Sequence, residues 1–286
     1  MLEFLNKPLF KSTMTSLPVF QDTTLAMIVR DELMNPAGGL LPMLEHHLPY
    51  FSNAVVLDTG SVDGTRQLLE HLQSKYHQLR VYDARFEGYG PARNRAKGEI
   101  ETTYSFWLDA DERLNDCPLF VKEVTKKLSD APLLGSIYFH FEHILPSGYS
   151  DWVGSWGNRL LRNEGCDFSK IVWETAHFRG RGESVEDVRI IHFIPSHSDR
   201  QQKEKEWYKP LDVTGKIPFA PSSLSSFPSW KTPNLITLLR YGVSVEQVLT
   251  RLGELNLSVH PLILEKIYQY MVLVQPLIDN PTPPKF

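Results

Sequence analysis

Four short apolar runs before residue 110 each stop on polar or charged residues, and the segments between them carry helical spacing. The runs are "TLAMIVR" (24–30), "AVVLD" (54–58), "LRVYDA" (79–84) and "YSFWL" (104–108). Unbroken apolar runs of this length, bounded by turn residues, are typical of strands buried on both faces. Between the first two, "GLLPMLEHHLPYF" predicts an irregular helix with Pro42 near its start. After the second, Asp63 is a candidate N-cap for a helix striped by Leu68, Leu69, Leu72 and Tyr76. In "GPARNRAKGEIE", Pro91 stands at a helix-like first position. This alternation predicts an α/β fold, a mixed and mainly parallel sheet flanked by helices. In such sheets ligands sit beyond the carboxyl ends of the strands, where strand order reverses.

The acidic residues fall at those ends. Arg30, Asp31 and Glu32 follow the first run, Asp58 closes the second, Asp83 lies in the third, and Asp109 and Asp111 follow the fourth. Read as an extended segment, "LDADE" places Asp109 and Asp111 on one side and sends Glu112 to the other. Like charges so placed call for a cation, and oxygen ligands suit Mg²⁺ or Mn²⁺. The structural alternative is a solvated acidic loop with Arg113 as counter-charge.

The second half reads differently. "LLGSIYFHFEHIL" (133–145) predicts a long strand, followed by "NRLLRN" and "VRIIHFI", as in a mixed sheet. "IPFAPSSLSSFPSWKTP" is rich in Ser and Pro and reads as a linker, and residues 234–278 then show helical spacing. We therefore expect a catalytic-type domain over 1–216 and a linker with a small helical C-terminal extension over 217–286.

Composition narrows the class of protein. With 42% hydrophobic and 22% charged residues, the 286-residue chain has an ordinary globular composition. A net charge of -4 gives no general attraction to nucleic acid, although it does not exclude a nucleic acid acceptor. Two separated cysteines, Cys117 and Cys166, form no thiolate metal motif, and a cytoplasmic location is expected. The N-terminus lacks the apolar centre of a signal peptide, and Glu265 and Lys266 interrupt the most apolar late stretch, so no transmembrane span is expected.

In order along the chain, "MIVRDE", "VVLDTGSVDGT", "ARNRAKG" and "FWLDADE" resemble the family-two glycosyltransferases over roughly residues 22–200. That resemblance implies the GT-A nucleotide-sugar-binding fold and a divalent cation. It also implies transfer of a sugar from a UDP- or GDP-sugar to an acceptor hydroxyl, with inversion. Asp58 then matches the position that contacts the nucleoside base or ribose; its structural alternative is a cap on the following turn. Glu32 matches the acidic residue after the first strand, with Asp31 replacing the commoner Asn. Arg93 and Asn94 match the segment lining the nucleotide pocket, with ion pairing or loop packing as their alternatives. Asp109 and Asp111 match the D-x-D pair, Asp111 being the preferred direct metal ligand.

An inverting transfer needs a base for the acceptor hydroxyl. In "RLLRNEGCDFSKIVWETAHFRG" the family's His-Glu pair becomes Trp173-Glu174. The resemblance makes Glu174 the base, and Trp173 offers an aromatic plane for a sugar. Downstream, His192 matches a position that completes metal or diphosphate binding, with His197 as a competitor. His140 and His143, three apart on a strand, go to opposite faces, and the adjacent His46 and His47 do not read as a metal pair. The acceptor and the oligomeric state are not legible.

Two other enzyme classes fit less well. A nucleotidyltransferase wants a Gly-rich basic loop after the first strand, where two acids follow Arg30. A dehydrogenase wants G-x-G-x-x-G, and Gly88 and Gly90 lack the third glycine. A catalytically silent, binding-only relative is the non-enzymatic alternative.

Overall fold

The computed structural model describes residues 19–33, 35, 37, 39–144, 150–151 and 155–194. The expected domain boundary at 216/217, the C-terminal helices and His197 lie outside the described residues.

The four apolar runs are strands: β1 (Phe20–Val29), β2 (Phe51–Asp58), β3 (Leu79–Asp83) and β4 (Tyr104–Trp107). They lie side by side in the order β3-β2-β1-β4, all parallel. The chain steps outward from β1 to β3 and then returns to the other flank of β1. Strand order therefore reverses between β1 and β4, and the crevice expected of such a sheet opens there.

The later segments widen this quartet. They add β5 (Glu112–Leu114), β6 (Ser136–Ile144), β7 (Ser150–Asp151) and β8 (Trp156–Arg162). Then β9 (Asp167–Ser169) and β10 (Thr175–His177) form a separate antiparallel hairpin, and β11 (Gly182–Phe193) returns to the main sheet. The main sheet runs β3-β2-β1-β4-β8-β6-β11-β5, with β7 on β6. β8 is antiparallel to both β4 and β6, whereas β6 and β11 pair in parallel. The α/β class and mixed sheet are as expected.

Helices cover both faces. α1 (Leu40–His47), α2 (Thr65–Lys75) and α4 (Cys117–Asp130) pack on one face, where Leu44, Leu68, Leu72, Phe120 and Val124 meet Phe106 and Phe139. α3 (Tyr89–Lys97) covers the other face, its Ala92 and Ala96 packed with Trp107, Leu161 and Phe168. The helix α4 begins on Asp116, whose carboxylate accepts from the Leu119 N–H, with Pro118 in the first turn. No helix among the described residues is long and apolar enough to cross a membrane.

Two helix starts differ from expectation. The N-cap of α2 is Gly64, in the left-handed region at φ 98°, rather than Asp63. Asp63 serves the same end from one residue earlier, because its Oδ1 accepts from both the N–H and the hydroxyl of Thr65. α3 begins at Tyr89, two residues ahead of Pro91. The N–H groups of Tyr89 and Gly90 donate to Ile171 and Lys170 carbonyls, so these first-turn donors are satisfied from a distant loop.

His47 ties α1 to β5. It is fully buried; its Nδ1 donates to the Met43 carbonyl at 2.7 Å, and its Nε2 accepts from the Leu114 N–H at 3.1 Å. Although His46, His47 and Cys117 bring donor atoms within 4.8 Å, both His47 nitrogens are committed, and burial pushes the Cys117 thiol up to about 12. The cluster is therefore a fold tie. Burial first, and then His46, hold the His47 pKa well below its ordinary 6.5. The imidazole is neutral in the fold but takes up a proton in the unfolded chain below about pH 6.5. Its contribution to stability is thus present above that pH and is lost as the pH falls through and below it. Urea denaturation of the His47→Gln variant should show a flatter loss of stability between pH 7 and 5 than the parent; parallel curves would contradict this role.

Candidate active site

The loops after β1 and β2 are clasped by the side chains of the second. Asp31 N–H donates to Ser61 Oγ, Glu32 N–H to Thr65 Oγ1 and Leu33 N–H to Asp63 Oδ2, all at 2.9–3.1 Å. In return, Asp31 Oδ1 accepts from the Val62 N–H at 2.7 Å. Asp31 holds a left-handed backbone at φ 54°, and burial raises its carboxyl pKa. Much of the "DTGSVDGT" signature is thus architecture. Its polar residues satisfy backbone donors that the sheet leaves unpaired.

Asp58 does two things at once. It is 2% exposed, and its Oδ1 accepts from the N–H groups of Gly60 and Ser61 at 2.8 Å. The turn-capping alternative therefore accounts for one oxygen. The other, Oδ2, is buried and without a protein partner. Burial raises the pKa of the group. Such an acceptor is costly unless a ligand donor meets it.

The loop after β1 also carries Asn35, which sequence reasoning missed. It is buried, and its amide is saturated: Nδ2 donates to Glu32 Oε2 and to the Ala110 carbonyl, while Oδ1 accepts from the N–H groups of Ala37 and Gly39. Glu32 is thereby joined through Asn35 to the middle residue of the D-A-D triplet.

That triplet is a turn, which corrects the extended reading. The Glu112 N–H donates to the Asp109 carbonyl at 3.0 Å, closing residues 109–112. Glu112 accordingly does not point away. It is 1% exposed, its Oε2 accepts from the Asp109 N–H, and its Oε1 accepts from Arg159. Burial, with Asp109 and Asp111 nearby, pushes its carboxyl pKa up, and Arg159 draws it back. Asp109 is held by two arginines, Oδ1 by Arg93 Nη2 at 2.8 Å and Oδ2 by Arg159 Nη2 at 3.4 Å. Burial opposes its ionisation, but Arg93 and Arg159 outweigh it and hold the carboxyl well below the usual carboxylate range.

Arg159 is the second residue missed. β8 pairs with β6 through Leu160 opposite Ile137 and Asn158 opposite Tyr138, so Arg159 is the extra residue of a bulge. A bulge re-aims one side chain. Here the guanidinium lies 5.1 Å over the Phe141 ring and reaches the turn after β4. The only signal in the sequence was an arginine inside an otherwise strand-like segment.

Arg93 joins the turn to Glu174. The side chain is buried, with cation–π contacts to Trp107 and Phe168 at 5.2 and 5.9 Å. Its Nε donates to Glu174 Oε1 at 2.5 Å while Nη2 holds Asp109. Burial disfavours the cation, but Asp109 and Glu174 more than restore it and raise its pKa. Nη1 is buried without a protein partner. Asn94 is used differently: its amide donates to and accepts from the Phe168 backbone, at 2.8 and 2.9 Å. This is the loop-packing alternative, fixing α3 to β9.

Asp111 and His192 form a second pair. Asp111 Oδ2 and His192 Nε2 are 3.8 Å apart, both partly open to solvent. The Phe193 N–H donates to the Asp111 carbonyl, and His192 packs against His143 with ring centroids at 5.2 Å. His140, by contrast, packs against Trp156, so the two strand histidines do face opposite ways.

The loop that carries Glu174 is pinned to α3. Beside the Tyr89 and Gly90 bonds to its carbonyls, Gly88 and Gly90 leave room for it. A Cβ on Gly90 would lie 2.3 Å from the Lys170 carbonyl oxygen, and one on Gly88 would lie 2.6 Å from Ile171 Cγ2. These are the two glycines of the failed dinucleotide motif. Their service is close approach. Within the loop, Trp173 has φ 52° and is 39% exposed, immediately before Glu174.

Comparison with known proteins identifies the family. The profile of the family "Glycosyl transferase family 2" matches residues 45–188, spanning β2, the D-A-D turn and Glu174. The chain belongs to that family and is a glycosyltransferase. Similar solved structures include residues 1–349 of S. aureus TarS, at 14% identity, with 90% of each chain covered and a TM-score of 0.46. Another is the same fragment in complex with UDP-GlcNAc, at 13% identity, 90% of each chain and 0.45.

The close approach at Gly90 yields a direct test. Gly90→Ala should push the Lys170–Glu174 loop away from α3 and lower steady-state transfer by on the order of 10²-fold, the scale of a misplaced catalytic group. Wild-type kinetics in that variant would show that the docking of the loop does not position Glu174.

Proposed function

We propose that the protein transfers a sugar, with inversion, from a UDP- or GDP-sugar to an acceptor hydroxyl, aided by Mn²⁺ or Mg²⁺. The observation that carries this reading is the Arg93 guanidinium, which ties Glu174 to the first aspartate of the D-A-D turn. Base and donor side are thereby held in one cluster at the carboxyl end of β4.

Donor binding is assigned to the crevice between β1 and β4. The unpartnered Oδ2 of Asp58 accepts a hydrogen bond from the nucleoside base or ribose, either of which supplies N–H or O–H donors. Glu32, set through Asn35, lies on the β1 side of the same crevice. Arg93 Nη1, buried and unpartnered, offers a donor to substrate oxygen. Arg159 and Arg93 keep Asp109 ionised, so this carboxylate acts chiefly by holding the two cations in place.

Asp111 and His192 fit a divalent ion. One carboxylate oxygen and one imidazole nitrogen 3.8 Å apart can share a cation, and this donor set suits Mn²⁺ better than Mg²⁺. A bound cation there would neutralise charge on the departing diphosphate. On the acceptor side, Glu174 Oε1 is held by Arg93, and Oε2 takes the hydroxyl proton as the acceptor oxygen attacks the anomeric carbon. Trp173 flanks that acceptor.

Calorimetry and kinetics separate these roles. Mn²⁺ should strengthen UDP or GDP binding, and Asp111→Ala should abolish that strengthening; metal dependence unchanged in Asp111→Ala would remove the cation assignment. Glu174→Gln should leave donor binding intact but cut transfer by ~10²-fold or more. Full turnover in Glu174→Gln would place the base elsewhere.

A further inference from the structure

A groove of about 580 Å³ lies on β6, β8 and β11, lined by Lys127, Tyr138, Trp156, Gly182, Glu183 and Ser184. None of these residues belongs to the cluster around Arg93. Trp156 is 42% exposed, unusual for so large an apolar side chain, and the His140 ring supports it edge-on at 4.5 Å. Tyr138 is seated tightly: a Cβ on Gly182 would meet its Cε2 at 2.5 Å, and Phe178 packs on its ring at 6.4 Å. The polar part is a charge relay at the margin of β11. Glu183 takes Lys127 Nζ at 3.2 Å and Arg181 Nη2 at 2.7 Å.

We propose that this groove binds an uncharged oligosaccharide, the extended part of a glycan acceptor. Two fixed aromatic faces match the C–H faces of pyranose rings, and the adjoining carboxylate, ammonium and hydroxyl match their hydroxyl groups. The size is that of a small-ligand site, typically ~300–1,000 Å³. An acyl chain fits the lining poorly, because it would bury the Lys127–Glu183 pair.

Placement links the groove to transfer. Glu174 runs directly into β10, and Phe178, the residue after β10, packs on Tyr138. Trp156 stands three residues before Arg159 on β8. A glycan lying over Trp156 and Tyr138 therefore flanks the segment that carries the base. Its role as acceptor rests on the transferase reading given above, whereas its binding does not.

Binding is measured without donor or turnover, so the two readings fail separately. Calorimetric titration with cellotetraose, maltotetraose and chitotetraose should give saturable binding of at least one at millimolar or lower concentration. Trp156→Ala should weaken it by about tenfold or more while UDP affinity stays unchanged, as expected when one stacked ring is lost. Trp156→Leu keeps apolar bulk, serves if the alanine variant fails to fold, and should show the same loss. Binding of none of the three saccharides, or equal binding by the wild type and a folded Trp156 variant, would overturn the proposal.

Discussion

One buried cation holds the site together. Arg93 is almost wholly removed from water, a placement that is strongly unfavourable unless the guanidinium is paired on several sides. It is paired with Asp109 and Glu174, and its flat face rests on Trp107 and Phe168. These partners come from β4, from the turn after it, from β9 and from the loop that follows β9. Because a buried charge tolerates the loss of no partner cheaply, the four segments must stay in register. Fixing Arg93 therefore fixes the distance between Glu174 and the turn after β4.

The remaining architecture supplies that register from both sides. Glycines at 88 and 90 let the Lys170–Glu174 loop lie directly on the first turn of α3, whose early N–H groups it satisfies. Arg159, pushed out of β8 by a bulge, clamps the turn through Asp109 and Glu112. Asn35 holds the same turn by its Ala110 carbonyl from the β1 side. Arg93, Arg159 and Asn35 thus converge on the four residues 109–112. Only Asp111 among the three acids is left facing a histidine rather than an arginine, which is why the cation is assigned there.

The quartet β1–β4 was legible because buried parallel strands write themselves as unbroken apolar runs, with acids gathered at their ends. The D-A-D triplet stood out as an acidic cluster, but its local shape was not legible. Alternation rules assume an extended chain, and a single Glu112-to-Asp109 backbone bond turns it. Arg159 was hidden because a bulge depends on pairing between distant strands, which a local pattern does not carry. Asn35 was hidden because its worth lies in four bonds made after folding. The same holds for Asp63, whose capping role was correct in kind and displaced by one residue. α4 went unread although Asp116 and Pro118 signal its start.

In the proposed reading, Arg93 acts through Glu174 as well as beside it. A double-mutant cycle on transfer rate tests this, using Arg93→Lys, Glu174→Gln and the double variant, with donor affinity measured alongside. Lysine keeps the charge but cannot hold two carboxylates in the planar fork. If Arg93 positions Glu174, the double variant should lose little more kcat than Glu174→Gln alone, as residues acting as one unit do. Losses that multiply in the double variant would mean that the two residues act independently and would contradict the claim.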